Sequence, residues 1–341
     1  MHCLSATGGN AILKNIAVDY LFLFLGLALL LLGANYLVDA SVAIAQRAKI
    51  SNFIIGLTIV GIGTSSPELF VSIQSALTGH GDIAMGNVLG SNIANVFLIL
   101  GVTATILPFA IDKMQQQRDI PVGIGAAILV LLLANDSLIP GIGENSLNRL
   151  DGIFLLLVFI IYMAFVIMRK GKNPTQALAE ADEETSSSLT GKNVLLLWMI
   201  AAVSLGALLW GGNMFLDSAK ILAKTWGMSE AVISITIVAI GTSLPELITA
   251  IIAACKKNPQ LALGNVIGSN VFNLLMILGV SSTIHPYTLT TISIVDYVMA
   301  LVAAICIFIT IYTFKKQKFD RIEGIFFILI YIGYTVYLLM R

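Results

Sequence analysis

Two seven-residue segments of this chain match almost letter for letter. Ile62-Gly63-Thr64-Ser65-Ser66-Pro67-Glu68 returns 178 residues later as Ile240-Gly241-Thr242-Ser243-Leu244-Pro245-Glu246. Each ends on a carboxylate. Each proline removes a backbone N–H and frees a carbonyl one turn back, that of Gly63 for Pro67 and of Gly241 for Pro245. The glycines let the backbone open or approach an ion closely. Thr64 and Ser65 stand four and three residues before Glu68, a spacing that puts them on one helix face, and Thr242, Ser243 and Glu246 repeat it.

A second segment is duplicated at the same offset of 178: Gly86-Asn87-Val88-Leu89-Gly90-Ser91-Asn92-Ile93-Ala94-Asn95 and Gly264-Asn265-Val266-Ile267-Gly268-Ser269-Asn270-Val271-Phe272-Asn273. Ser91 and Asn95 are four apart, as are Ser269 and Asn273. Gly86, Gly90, Gly264 and Gly268 follow a small-xxx-small pattern that permits close helix contact. The combined donors are carboxylates, hydroxyls, amides and freed carbonyls. That all-oxygen set, with no Cys or His, suits hard cations such as Ca²⁺ or Na⁺ and argues against zinc or copper.

The elements that carry these residues are apolar. Of 341 residues, 57% are hydrophobic and 11% charged, against about 25% charged in a soluble domain. The mean hydropathy is +0.93. Ten apolar blocks reach the roughly 20 residues that a spanning helix needs: 17–45, 52–77, 81–107, 119–135, 149–168, 194–224, 230–255, 259–284, 292–314 and 322–340. Blocks two, three, seven and eight are broken by Gly, Pro and polar residues, so they must face protein or a wet cavity rather than lipid. Glu68 and Glu246 fall near the middle of blocks two and seven. A mid-membrane acid costs about 2.5–3.5 kcal/mol even on a mild insertion scale, so a matched pair implies a compensating cation or proton. The zero net charge and absence of a basic stripe give no sign of nucleic-acid binding. Cys3, Cys255 and Cys306 show neither metal nor disulfide spacing.

The expected fold is an all-α membrane protein of ten transmembrane helices in two inverted five-helix repeats, 17–168 and 194–341, joined by a polar linker over 169–193. Further matches support the repeat. Gly33-Ala34-Asn35 with Asp39 returns as Gly211-Gly212-Asn213 with Asp217, and Arg149-Leu150-Asp151-Gly152 returns as Arg321-Ile322-Glu323-Gly324 at an offset of 172. An odd number of helices per repeat makes the second copy enter from the opposite side, an architecture in which substrate binds at the midplane between interrupted helices. With the N-terminus outside, 14 Lys and Arg fall on inner segments and 5 on outer ones, so both termini are expected outside and the linker in the cytoplasm. Asp39 and Asp217 lie near helix ends, where an acid can face water; ion entry or hinge duty is the alternative.

The paired motifs closely resemble the alpha-repeats of the sodium/calcium exchanger family, within the calcium:cation antiporters, in its prokaryotic form. The likeness runs along the whole chain. It implies that Glu68 and Glu246 ligate Ca²⁺ with the carbonyls of Thr64 and Thr242. It further implies flanking Na⁺ sites using Ser65, Ser243, Ser91, Ser269 and the carbonyls of Gly61 and Ala239. Asn95 and Asn273 complete the candidate set. Many prokaryotic members, like the potassium-dependent exchangers, carry Asp where this chain has Asn273, so the site here holds two formal negative charges. The resemblance implies a secondary antiporter of the inner (plasma) membrane that is not an enzyme, needs no cofactor, and exchanges Na⁺ for Ca²⁺ by alternating access, with the lipid bilayer as its surroundings. A proton-coupled calcium exchanger using the same glutamates, and a cation channel, are the alternatives.

Overall fold

A computed structural model describes residues 6–136, 145–168, 187–228, 241–313 and 318–340. Its helices are α1 (Ala6–Ala48), α2 (Asn52–Thr64), α3 (Ser66–Leu77), α4 (Gly81–Ile106), α5 (Gln115–Leu133), α6 (Arg149–Met168), α7 (Val194–Thr225), α8 (Leu244–Cys255), α9 (Pro259–Ile284), α10 (Ile294–Thr310) and α11 (Arg321–Met340). Among the described residues, seven helices are long and apolar enough to cross a membrane, with an eighth if α2 and α3, bent 45° at their junction, form one span. Helices α8 and α10 are shorter. The first part of the expected block 230–255 lies outside the described residues up to Ile240. Helix α5 starts four residues before the expected 119, because a wide π-type turn over Gln115–Asp119 carries polar residues into the helix.

The two spans that carry the Gly-Ser-Asn motifs are the most buried. Helices α4 and α9 occupy the centre, while α1, α5, α6, α7 and α11 turn large apolar side chains such as Phe24, Leu132, Ile161, Trp210 and Phe326 outward. This distribution fits a bilayer, where lipid replaces water around the rim and backbone polar groups are paired within helices.

Matched positions make reciprocal contacts. A Cβ added at Gly101 on α4 would lie 2.9 Å from the Gly324 carbonyl on α11, and one at Gly279 on α9 would lie 3.0 Å from the Gly152 carbonyl on α6. Gly279 stands 178 residues after Gly101, and Gly324 stands 172 after Gly152. Two short antiparallel pairs behave alike: Phe109 and Ala110 pair with Phe319 and Lys318, while Leu147 and Ser146 pair with Tyr287 and Thr288. Tyr162 donates to Asp119 at 3.0 Å between α6 and α5, and Tyr334 donates to Asp296 at 2.9 Å between α11 and α10. The third helical block of each half therefore packs on the fifth block of the other half. Helices α1 and α7 cross backbone to backbone, since a Cβ at Gly33 would meet the Leu208 nitrogen at 2.6 Å and one at Gly211 the Leu30 nitrogen at 2.6 Å.

Candidate cation site

Each glutamate begins a helix. The chain leaves helical geometry at Ser65 (φ −82°, ψ 10°) and at Ser243 (φ −88°, ψ 10°), then re-enters it with Pro67 or Pro245 in the first turn. Proline is at home there, because the first-turn N–H has no partner within the helix. Glu68 and Glu246 follow in the same turn, where unpaired N–H groups and the helix dipole present partial positive charge.

The break corrects one sequence expectation. The Gly63 carbonyl is not left open by Pro67, because the Ser66 hydroxyl donates to it at 2.8 Å. Leu244 stands at the matched place in the second motif and has no hydroxyl to offer. The Ser65 hydroxyl donates across to Glu246 Oε1 at 3.1 Å, so the two motifs meet.

Helices α4 and α9 supply the opposing wall. Both widen into π-type turns at matched places, Asn95–Leu100 and Phe272–Ile277, a distortion often found at functional sites. Asn95 donates to Asn270 Oδ1 at 2.9 Å, and Asn273 donates to Asn92 Oδ1 at 3.0 Å and to Ser91 Oγ at 3.1 Å. Asn92 and Asn270 donate to each other's backbone carbonyls at 3.1 and 3.4 Å. The amide NH₂ groups are thus used in joining α4 to α9, which leaves the amide oxygens of Asn95 and Asn273 as the free ends. Asn92 and Asn270 were overlooked as site residues, although each is the Asn of a duplicated Gly-Ser-Asn.

Several buried oxygens have no hydrogen-bond donor: both carboxylate oxygens of Glu68, Oε2 of Glu246, Ser243 Oγ, and the amide oxygens of Asn95 and Asn273. The Ser65 hydroxyl, three residues before Glu68, reaches Glu246, so the two acidic motifs adjoin. Buried charge without a partner costs several kcal/mol per group, so this constellation is satisfied by a cation or by protons. Around it, the Ser269 hydroxyl donates to the Gly61 carbonyl at 3.2 Å, and that of Thr64 to Asn265 Oδ1 at 3.2 Å. Ser91 donates to the Val88 carbonyl at 3.1 Å. Thr242 is half-buried beside Ser243. Ala239 lies outside the described residues.

A Cβ at Gly264 would meet the Phe53 carbonyl, and one at Gly268 that of Leu57, so α9 is pressed onto α2. The segment that matches Phe53 and Leu57 at the same offset, around 231–235, lies outside the described residues. Asn265 is buried, whereas its match Asn87 is half-buried and donates to the Glu68 carbonyl at 3.2 Å and Ser72 Oγ at 3.1 Å. The small-xxx-small expectation holds for the α9 glycines.

Residues 18–168 and 196–340 match the sequence model of the family described as sodium/calcium exchanger protein. The chain belongs to the sodium/calcium exchanger family. It is 31% identical to sodium/calcium exchanger MaX1 of Methanosarcina acetivorans, over 95% of this chain and 99% of that protein. It is 36% identical to inner membrane protein YrbG of Escherichia coli strain K12, over 77% and 79% of the two chains. The solved structure of sodium-calcium exchanger NCX_Mj soaked with zero Na⁺ and Ca²⁺ superposes with a TM-score of 0.79 at 31% identity, over 95% of this chain and 99% of that one. The family is one of membrane transporters of Na⁺ and Ca²⁺, and this exchanger is a multi-pass protein of the plasma membrane. Asp39 corrects a further expectation for the exchanger. Rather than facing water, it pairs with Lys256 at 2.6 Å, with 14% of its side chain exposed.

Proposed function

We propose that this exchanger is a secondary antiporter that moves Ca²⁺ against Na⁺ across the cytoplasmic membrane, extruding Ca²⁺ down the sodium gradient by alternating access. The observation that carries the reading is the set of buried, donor-free oxygens contributed by both motifs, with two carboxylates at its centre. Glu68 and Glu246 would hold Ca²⁺ with the carbonyls of Thr64 and Thr242. Ser65, Ser243, Ser91, Ser269, the carbonyls of Gly61 and Ala239, and the amide oxygens of Asn95 and Asn273 would serve the sodium ions. Two carboxylates balance one Ca²⁺ or two Na⁺, which makes the same pocket exchangeable between them. The named sodium/calcium exchangers among its relatives support the ion pair.

The architecture that goes with this function is ten spans in two inverted halves, 17–168 and 194–341, around a cytoplasmic linker 169–193, with both termini outside. Reciprocal contacts such as Gly101 to Gly324 and Gly279 to Gly152 support such a relation. Inverted halves can exchange inward and outward shapes around one fixed site.

The test is Ca²⁺ uptake into proteoliposomes loaded in turn with Na⁺, K⁺ or a proton gradient. Uptake only from Na⁺-loaded vesicles is the expected result. Uptake driven by the proton gradient alone would assign proton coupling instead, and Ca²⁺ current without any counter-ion would assign a channel.

A further inference from the structure

One mouth of the bundle carries a polar crosslink that the matched mouth lacks among the described residues. Lys256 lies at the turn between α8 and α9. Its ammonium donates to Asp39 Oδ1 at 2.6 Å and to the Asn35 carbonyl, one turn earlier on α1, at 2.9 Å. The end of the linker closes over this pair. Ser188 Oγ donates to Asp39 Oδ2 at 3.1 Å, and Ser187 Oγ donates to the Asp39 carbonyl at 2.8 Å. Farther along α1, Thr190 donates to Gln46 at 3.1 Å and Arg47 to the Lys192 carbonyl at 2.9 Å. Asn52, at the start of α2, donates to Asn258 of the same α8–α9 turn at 2.8 Å.

Among the described residues, the counterparts of the central pair behave otherwise. Asp217, the counterpart of Asp39, has 71% of its side chain exposed and pairs with Lys220 of its own helix at 3.3 Å. Thr78 stands at the place matching Lys256, and its hydroxyl donates within α3 to the Gln74 carbonyl at 2.9 Å. The crosslinked mouth is the one where Gly264 and Gly268 are pressed onto Phe53 and Leu57.

We propose that Asp39, Lys256 and the linker residues Ser187 and Ser188 form a latch that holds the linker-side mouth shut. Helices α1 and α7 are joined backbone to backbone and form one tightly packed pair. The Lys256–Asp39 contact is a bond between that helix pair and α8–α9, which bear Glu246 and Asn273. Opening this mouth separates the two and breaks the pair. The pair is partly shielded from water, with 14% and 26% of its side chains exposed, and one carboxylate oxygen also accepts from the linker. Loss of such a charge-assisted contact shifts an opening equilibrium by about three- to tenfold.

The inference goes beyond the ion assignment and rests only on the two mouths opening separately, so the test reads opening itself. Hydrogen–deuterium exchange is measured by mass spectrometry on the full-length wild type and on Lys256→Met, Asp39→Asn, Ser188→Ala and Asp217→Asn. Peptides covering α2 and the first half of α9 should exchange about three- to tenfold faster in Lys256→Met and Asp39→Asn, with a smaller rise in Ser188→Ala. Peptides over residues 77–87 at the other mouth should keep the wild-type rate, and Asp217→Asn should match wild type throughout. The exchanged pair Asp39→Lys with Lys256→Asp should return α2 and α9 toward wild-type protection. If Lys256→Met fails to fold, Asp39→Asn and Ser188→Ala carry the comparison. An equal rise at both mouths, or no rise at either, would overturn the latch. A failed Na⁺/Ca²⁺ uptake assay beside the expected exchange pattern would overturn the ion assignment and leave the latch standing.

Discussion

Glu68 and Glu246 are matched in sequence but unequal in surroundings. Glu246 accepts the Ser65 hydroxyl at 3.1 Å, whereas neither Glu68 carboxylate oxygen receives a donor. The charge count around them rests on Asn95 and Asn273, neutral amides, the second at the position where the resemblance implies an Asp in many prokaryotic members. An amide can lend an oxygen to a cation but cannot balance an extra one. Wild-type Na⁺-driven Ca²⁺ flux is therefore expected to be the same with K⁺ or choline as the background cation. Asn273→Asp is expected to make flux depend on pH or on the accompanying cation, because it adds a charge whose protonation burial can control. Flux traces in the two backgrounds and across pH check both statements, and an absolute K⁺ requirement in the wild type would refute the charge count. At this scale the residue types were legible, since duplication singled out Glu68, Glu246, Ser91, Ser269, Asn95 and Asn273. Their partners were not, because spacing arguments assume a continuous helix. The turn at Ser65 sends its hydroxyl to the other motif, and the Ser66 hydroxyl covers the carbonyl that Pro67 frees.

Helices bring these groups together through close backbone approach. On α9, Gly264 and Gly268 leave room for the carbonyls of Phe53 and Leu57, so a methyl group there acts as a wedge. Gly268→Ala is expected to lower stability by about 1–3 kcal/mol, the usual range for overpacking, and to reduce uptake several-fold. Thermal unfolding in detergent and Ca²⁺ uptake compare it with the wild type, and a variant as stable and as active as wild type would contradict the packing. The sequence showed the small-residue pattern but not which backbone atoms the glycines admit, since spacing along one helix carries no information about its neighbour. The wide turns at Asn95–Leu100 and Phe272–Ile277 were also hidden. A π-type turn absorbs one residue without changing composition, so apolar periodicity gives no signal for it.

Across the whole molecule, the repeat was the most legible feature, because offsets of 178 and 172 run through every matched block. Its spatial consequence, the third helical block of one half against the fifth of the other, came only with the contacts between Gly101 and Gly324 and between Gly279 and Gly152. The 14-to-5 distribution of Lys and Arg predicts an orientation with the linker inside. In intact cells, a Cys placed at exposed Lys192 is expected to resist a membrane-impermeant thiol reagent, while one at exposed His80 is labelled; the reverse pattern would invert the topology. The central claim is that the two motifs build one cation site. Its most direct measurement is Ca²⁺ titration calorimetry of the purified protein, repeated with Na⁺ and on Glu68→Gln and Glu246→Gln. The account predicts a single Ca²⁺ site that Na⁺ competes away and that either substitution lowers in affinity by at least about a hundredfold, because each removes one of the two charges facing the ion. Near-wild-type Ca²⁺ binding in either variant would contradict it.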